Sequence, residues 1–272
     1  MRVALVTIVA AAATVQTSAQ SSEVVPFTLH RGHLVLVTGS VGTQTDLTFL
    51  LDTGSGRTVL TSHLAAALNL RGRPTRLASF GQTVEAVESV APDVTVAGSA
   101  ATAHSVVVTD LAPTAASLQL MQLDGIIGID LLRTRSFTID YSRRVLQFGS
   151  AHVPSNRVPF SEHPFLIVLP AAVDGRRVQL SVDTGASHLV LFSDRRPPSG
   201  RTESAAALSG PTLVRRLTVR ELRIGTWLTR RPAAVEAPFT GSTGTDGLLG
   251  VPALGARAVH FDFERREFGW TP

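Results

Sequence analysis

The sequence predicts an all-β protein built as two similar lobes. Three observations carry this expectation: landmarks that occur twice in the same order, short apolar or alternating runs bounded by Gly, Pro, Asp and Ser, and a folding composition with no cysteine. With 272 residues, 44% hydrophobic and 17% charged, the chain can bury a large core in one domain or in two of about 100 to 150 residues. All 25 basic residues are Arg. Schiff-base and phosphate-loop lysines are thereby excluded, as are catalytic cysteines and thiolate metal sites. The arginines are scattered, with no basic stripe interleaved with aromatics, so nucleic acid is not an expected partner.

Taken in order, Arg2 is followed by an apolar run from Val3 to Val15 and then by the small and polar residues Gln16 to Gln20. Such a run is shorter than the about 20 residues a membrane helix needs, so residues 1–19 read as a secretory signal with a cleavage site after Ala19. No later segment is long and apolar enough to span a membrane. The expectation is a soluble exported protein, periplasmic or secreted, with no membrane span once the signal is removed. Strand signals follow at Leu34 to Val37, Val106 to Thr109, Phe165 to Leu169, Val178 to Val182 and Leu189 to Phe192. Ser62 to Leu70 and the neighbours of Leu131 have the apolar spacing of short helices. Residues 149–159 carry turn residues without an apolar period and read as a linker. The expected lobes are 20–148 and 160–272, each a β-sandwich or barrel.

The repeat is specific. FLLDTGSGRTVL (Phe49 to Leu60) and LSVDTGASHLVL (Leu180 to Leu191) lie 131 residues apart, and DGIIGIDLL (Asp124 to Leu132) and DGLLGVPAL (Asp246 to Leu254) lie 122 apart. Similar closing segments follow, FTIDYSRRVLQF from Phe137 and VHFDFERREFGW from Val259. A lone Asp-Thr-Gly arises by chance in roughly one chain of this length in twenty. Two copies, followed after 72 (124 minus 52) and 63 (246 minus 183) residues by Asp-Gly-apolar-apolar-Gly, are not a chance pattern. An Asp-Thr-Gly after an apolar strand places a carboxylate on a tight loop: the Gly admits backbone conformations that other residues resist, and the Thr hydroxyl is free to bond across to a partner loop.

On these motifs the chain resembles the aspartic peptidases, and more narrowly two retropepsin-like units fused into one bilobal chain, from about Phe27 to Trp270. The resemblance implies two β-barrel lobes related by a pseudo-twofold axis, with the catalytic cleft between them. It implies that Asp52 and Asp183 face each other, supported by Thr53, Gly54 and Ser55 on one side and Thr184, Gly185 and Ala186 on the other. The threonines would lock the loops reciprocally, with Ile126, Ile127, Gly128 and Leu248, Leu249, Gly250 packed beneath. The activity implied is that of an aspartic endopeptidase acting on peptides or proteins through a water activated between the two carboxyls, with no cofactor and no metal. Because Ser55 has Ala186 as its counterpart, the Ser55 hydroxyl is expected to stabilise an ionised Asp52, leaving Asp183 as the proton carrier.

The sequence also departs from the pepsin pattern. Its single tyrosine, Tyr141, lies in a closing segment, so the flap candidates are Phe80 to Glu85 and Ser209 to Leu213, with Gly81 and Gly210 as expected substrate-binding positions. Arg57 and His188, fifth after each aspartate, are expected to touch side chains flanking the scissile bond, Arg57 favouring an acidic or polar one. The eight histidines have no metal-ligand spacing, and no GxSxG elbow is present to support a serine triad. Asp124 and Asp246 read as structural turn formers, and Asp140 and Asp262 as solvated or cross-strand paired. The alternative function is an inactive peptide-binding or scaffold protein of the same fold. The intact repeat in one chain favours pairing within the chain, hence a monomer, over pairing of lobes between chains.

Overall fold

A computed structural model describes residues 23–79, 82–96, 99–149, 154–161, 163–193, 201–208, 210–239 and 244–272. The expected signal at 1–19 lies outside them. Of the described residues 58% are in strands and 9% in helices, so the fold is all-β as expected. Two large sheets, one of ten and one of nine strands, are joined by a shared six-stranded sheet.

The two large sheets repeat one arrangement. In the first half the short strand Gly125–Ile127 runs parallel to Gln44–Leu51 on one side and antiparallel to Val59–Thr61 on the other. In the second, Gly247–Gly250 is inserted in the same way between Arg176–Asp183 and Leu189–Ser193. Phe49 to Leu51 and Leu180 to Val182 are buried without alternation, Ser181 included, because here the strands are covered on both faces. Each ends at its Asp-Thr-Gly loop, so the inserted strand fixes the loop from below.

The shared sheet has the order Val24–Pro26, Val145–Phe148, Phe137–Asp140, Ala258–Asp262, Glu267–Thr271, Asn156–Pro159. The closing segments of both halves therefore pair with each other, in the register Phe137↔Phe261 to Asp140↔Ala258. The Phe137 and Phe261 rings stack at 4.6 Å between centroids, and both are fully buried. Each such side chain contributes roughly 1.5–3 kcal/mol on burial, and one continuous core runs through both lobes and this sheet. The expected linker is partly strand: Asn156–Pro159 pairs with Glu267–Thr271, burying Val158, and Pro159 is tolerated because the strand is at the sheet edge. The second-half strand expected at Phe165 begins at Val168, after Pro164 and a half-exposed Phe165.

Among the described residues there are three α-helices, all short. The first, α1 (Ser62–Ala67), is capped by Thr61, whose hydroxyl accepts the Leu64 N–H. It stops before the expected Leu70 because Asn69 turns left-handed (φ 53°), with Leu70 N–H bonded to the Ala65 carbonyl and Asn69 N–H to that of Ala66. The second, α2 (Ala112–Leu118), starts with Pro113 in its first turn and was not foreseen. The third, α3 (Ile129–Leu132), follows Gly128, where a helical turn around Leu131 was expected.

Asp124 and Asp246 are turn formers in both halves, their carboxylates accepting the Thr48 N–H at 2.8 Å and the Gln179 N–H at 2.7 Å. Asp140 is partly exposed, as expected, whereas Asp262 is neither solvated nor paired across strands. Each accepts the N–H three residues on, from Arg143 and Arg265, and so shapes the turn of its closing hairpin; Asp262 is only 4% exposed.

Candidate active site

The two Asp-Thr-Gly loops meet between the lobes. Thr53 N–H donates to Thr184 Oγ1 (3.0 Å) and Thr184 N–H to Thr53 Oγ1 (3.2 Å). The hydroxyls themselves donate one strand deeper, Thr53 to the Val182 carbonyl (2.9 Å) and Thr184 to that of Leu51 (3.0 Å). These four bonds are buried and leave no polar atom of either threonine side chain unpaired. Gly54 and Gly185 are needed for close approach, not for an unusual backbone, since neither has a positive φ. A β-carbon on Gly54 would run into the Asp183 carboxyl, and one on Gly185 would stand 3.1 Å from Asp52 Cγ. Gly128 and Gly250 lie beneath, where a β-carbon would meet the Arg57 and His188 carbonyl oxygens at 2.5 Å.

Asp52 and Asp183 consequently face each other within hydrogen-bond reach. Asp52 Oδ1 accepts the Gly54 N–H at 2.8 Å, and Asp183 Oδ1 accepts those of Gly185 and Ala186 at 2.7 and 3.0 Å. Burial pushes the pKa of both above the ordinary carboxylate value. Asp183 goes further, because the charge on Asp52 adds to burial, whereas the bond from Asp183 holds Asp52 back. One proton shared by the pair is the state this electrostatics favours.

A cavity of about 400 Å³ opens above the dyad. Its far wall comes from two hairpins, Gly72–Ser79 with Gln82–Ala91 from the first lobe and Thr202–Ala207 with Gly210–Thr218 from the second. The second hairpin crosses to the first lobe. Leu208 N–H donates to Ser79 Oγ at 3.1 Å, the Thr114 hydroxyl of α2 donates to the Leu208 carbonyl at 3.0 Å, and Ala206 and Leu208 pack on the apolar cluster around Leu118.

The remaining expected positions divide. His188 lines the cavity, as do Gly54, Ser55, Gly185 and Ala186. Gly210 instead seats the second hairpin against α2, its backbone left-handed (φ 97°) and a β-carbon there 3.2 Å from Pro113 Cβ. Gly81 lies outside the described residues. The Ser55 hydroxyl does not reach Asp52: it donates to the Arg57 carbonyl at 2.7 Å, closing its own turn. Arg57 is turned away from the cavity, bonded to Glu88 (2.9 Å) and Ser105 (2.8 Å) and 4.0 Å from Asp130.

Asp130 is the residue that sequence reasoning missed. Its carboxylate accepts the Thr58 N–H (2.9 Å), the Thr58 hydroxyl (2.8 Å) and the Leu131 N–H (2.9 Å), and lies 3.2 Å from His104 Nε2. It fixes the strand that leaves the Asp52 loop. Burial pushes its pKa up, but the bonds from His104 and Thr58 outweigh burial and hold it below the usual carboxylate value. The repeat concealed it, since the second half has Pro252 at that place (130 plus 122). Among the described residues no group of three or more His, Asp or Glu is placed to hold a metal, and no helix is long and apolar enough to cross a membrane.

A family described as aspartyl protease matches the chain twice, over residues 37–131 and 169–253. Each match contains one Asp-Thr-Gly loop and its inserted strand. No curated protein matches the chain.

Proposed function

The chain belongs to the aspartyl protease family, and from that premise we propose that it is an endopeptidase in which Asp52 and Asp183 activate one water between them. The observation that carries this reading is the pair of facing carboxyls held by the crossed threonine bonds. Ionised Asp52 takes a proton from the water as its oxygen attacks the peptide carbonyl carbon, while Asp183 gives its proton to the carbonyl oxygen. The resulting diol collapses when Asp52 passes its proton to the leaving nitrogen, the C–N bond breaks, and a diol hydroxyl returns a proton to Asp183. The hydrogen bonds from Gly54 to Asp52, and from Gly185 and Ala186 to Asp183, hold both carboxyls in place throughout. Both aspartates come from one chain, so a monomer is sufficient.

The test is cleavage of a diverse peptide mixture from about pH 3 to 7, beside Asp52→Asn and Asp183→Asn. Loss of activity in both single variants is the expected result. Activity surviving in either sinks the mechanism, and a folded chain that cuts nothing at any pH leaves peptide binding without hydrolysis as the function.

A further inference from the structure

One rim of the cavity carries three basic side chains. The turn between the strands Thr28–His30 and Leu34–Val41 brings Arg31 and His33 to this rim from the first lobe, and the loop after Asp183 brings His188 from the second. The turn is built rather than loose. Arg31 is left-handed (φ 49°), His33 N–H bonds to the His30 carbonyl at 3.2 Å, His33 Nδ1 lies 3.0 Å from the Arg31 carbonyl, and His30 Nε2 lies 2.8 Å from the Leu118 carbonyl. His188 Nδ1 is occupied by the Ser187 hydroxyl at 2.7 Å, which leaves its other ring nitrogen open among the described residues.

Arg31 carries the fixed charge of this corner. Burial lowers the His33 pKa, and His188, Arg31 and His30 push the same way, against only the Arg31 carbonyl. No ion pair engages Arg31 among the described residues. Besides the dyad, the carboxylate lining the cavity is Glu203, and it is held by Arg216. The pseudo-symmetric place of His188 is that of Arg57 (188 minus 131), whose charge is already spent on Glu88. Arg31 is thus the one arginine lining the cavity among the described residues, and no ion pair there engages its charge.

We propose that Arg31, His33 and His188 form a carboxylate-binding subsite, which selects peptides carrying an anionic group at one position and fixes the direction in which they lie. The proposal rests on the reading of the cleft as a peptide site. The same chemistry would be met by an aspartate or glutamate side chain or by the free C-terminus of the peptide. A hydrogen-bonded guanidinium–carboxylate pair at a half-exposed rim is worth about tenfold in affinity.

The experiment is fluorescence anisotropy of labelled apolar peptides with the Asp183→Asn chain at about pH 6, where a peptide glutamate is ionised. One series moves a single Glu, against Gln, along peptides with amidated C-termini. A second compares free with amidated C-termini in peptides lacking acids. About tenfold tighter binding for Glu at one position assigns the subsite to a side chain, and the same advantage confined to the free C-terminus assigns it to the terminal carboxylate. Either advantage is expected to vanish in Arg31→Ala and to return in part in Arg31→Lys, with smaller losses in His33→Gln and His188→Gln. Equal binding in both series, or an advantage that survives Arg31→Ala, overturns the proposal. Since binding alone is read, this outcome is separate from whether the unaltered chain cuts peptides.

Discussion

Ser79 of the first lobe and Leu208 of the second are joined by a hydrogen bond of 3.1 Å, from the Leu208 amide to the Ser79 hydroxyl, at the point where the two hairpins close over the dyad. Ser79→Ala removes one neutral bond, worth about 0.5–1.5 kcal/mol, so the tips should open roughly three- to tenfold more often. Hydrogen exchange at the Leu208 amide checks this directly. Exchange as slow as in the unaltered chain would show that Thr114 and the Leu118 cluster hold the hairpin by themselves.

The threonine lattice predicts a sharp difference between two small substitutions. Thr53→Val keeps the shape of the side chain but leaves the Thr184 N–H and the Val182 carbonyl buried without partners. The cost should be about 2–4 kcal/mol, whereas Thr53→Ser keeps both bonds and should cost under about 1 kcal/mol. Chemical denaturation of the two variants separates them. If Val and Ser are equivalent, the hydroxyl bonds do not hold the loops together.

Asp130 gives a prediction with a pH sign. Its folded pKa is depressed, so its contribution is present above the unfolded value and is lost as pH falls through the folded one. Asp130→Ala strands the Thr58 N–H and hydroxyl and should cost about 1–3 kcal/mol near neutrality, with the deficit shrinking toward pH 2 to 3. Denaturant unfolding of both chains across that range checks it. A deficit that does not change with pH would point to lost packing in place of lost charge.

Much of the site was legible because it is written twice. Asp52 and Asp183, their threonines and the glycines beneath them recur at fixed offsets, and duplication turns weak motifs into a strong one. What the repeat does not duplicate stayed hidden. Asp130 faces a proline in the other half, and Arg31 and His33 lie in a turn that carries no motif. Arg57 was misplaced for a related reason: its position made it the counterpart of the cavity-lining His188, but Glu88 and Ser105 on the neighbouring strands draw its side chain away. The shared sheet was illegible because alternation marks Phe137 to Asp140 and Ala258 to Asp262 as strands without saying that they pair with each other. Helix α2 was missed because Ala112–Leu118 is too short for its period to stand out.

The dyad should cost the fold stability at neutral pH, and Asp183→Asn should recover it. Both aspartates have folded pKa values above their unfolded ones, so each is best accommodated below the unfolded value and becomes a liability as pH rises through the folded one. Asp183 is the more strongly raised, through burial first and then through the charge on Asp52, and Asn removes its ionisation while keeping the shape and a donor toward Asp52. The variant should therefore be more stable than the unaltered chain at pH 7 to 8, by on the order of 1 kcal/mol or more, and nearly equal to it near pH 4. Thermal unfolding of both proteins at the two pH values reads the difference. A gain of the same size at both would trace the effect to hydrogen bonding, and a loss at pH 7 would mean that the pair is stabilised as two anions, against the single shared proton on which the proposed mechanism depends.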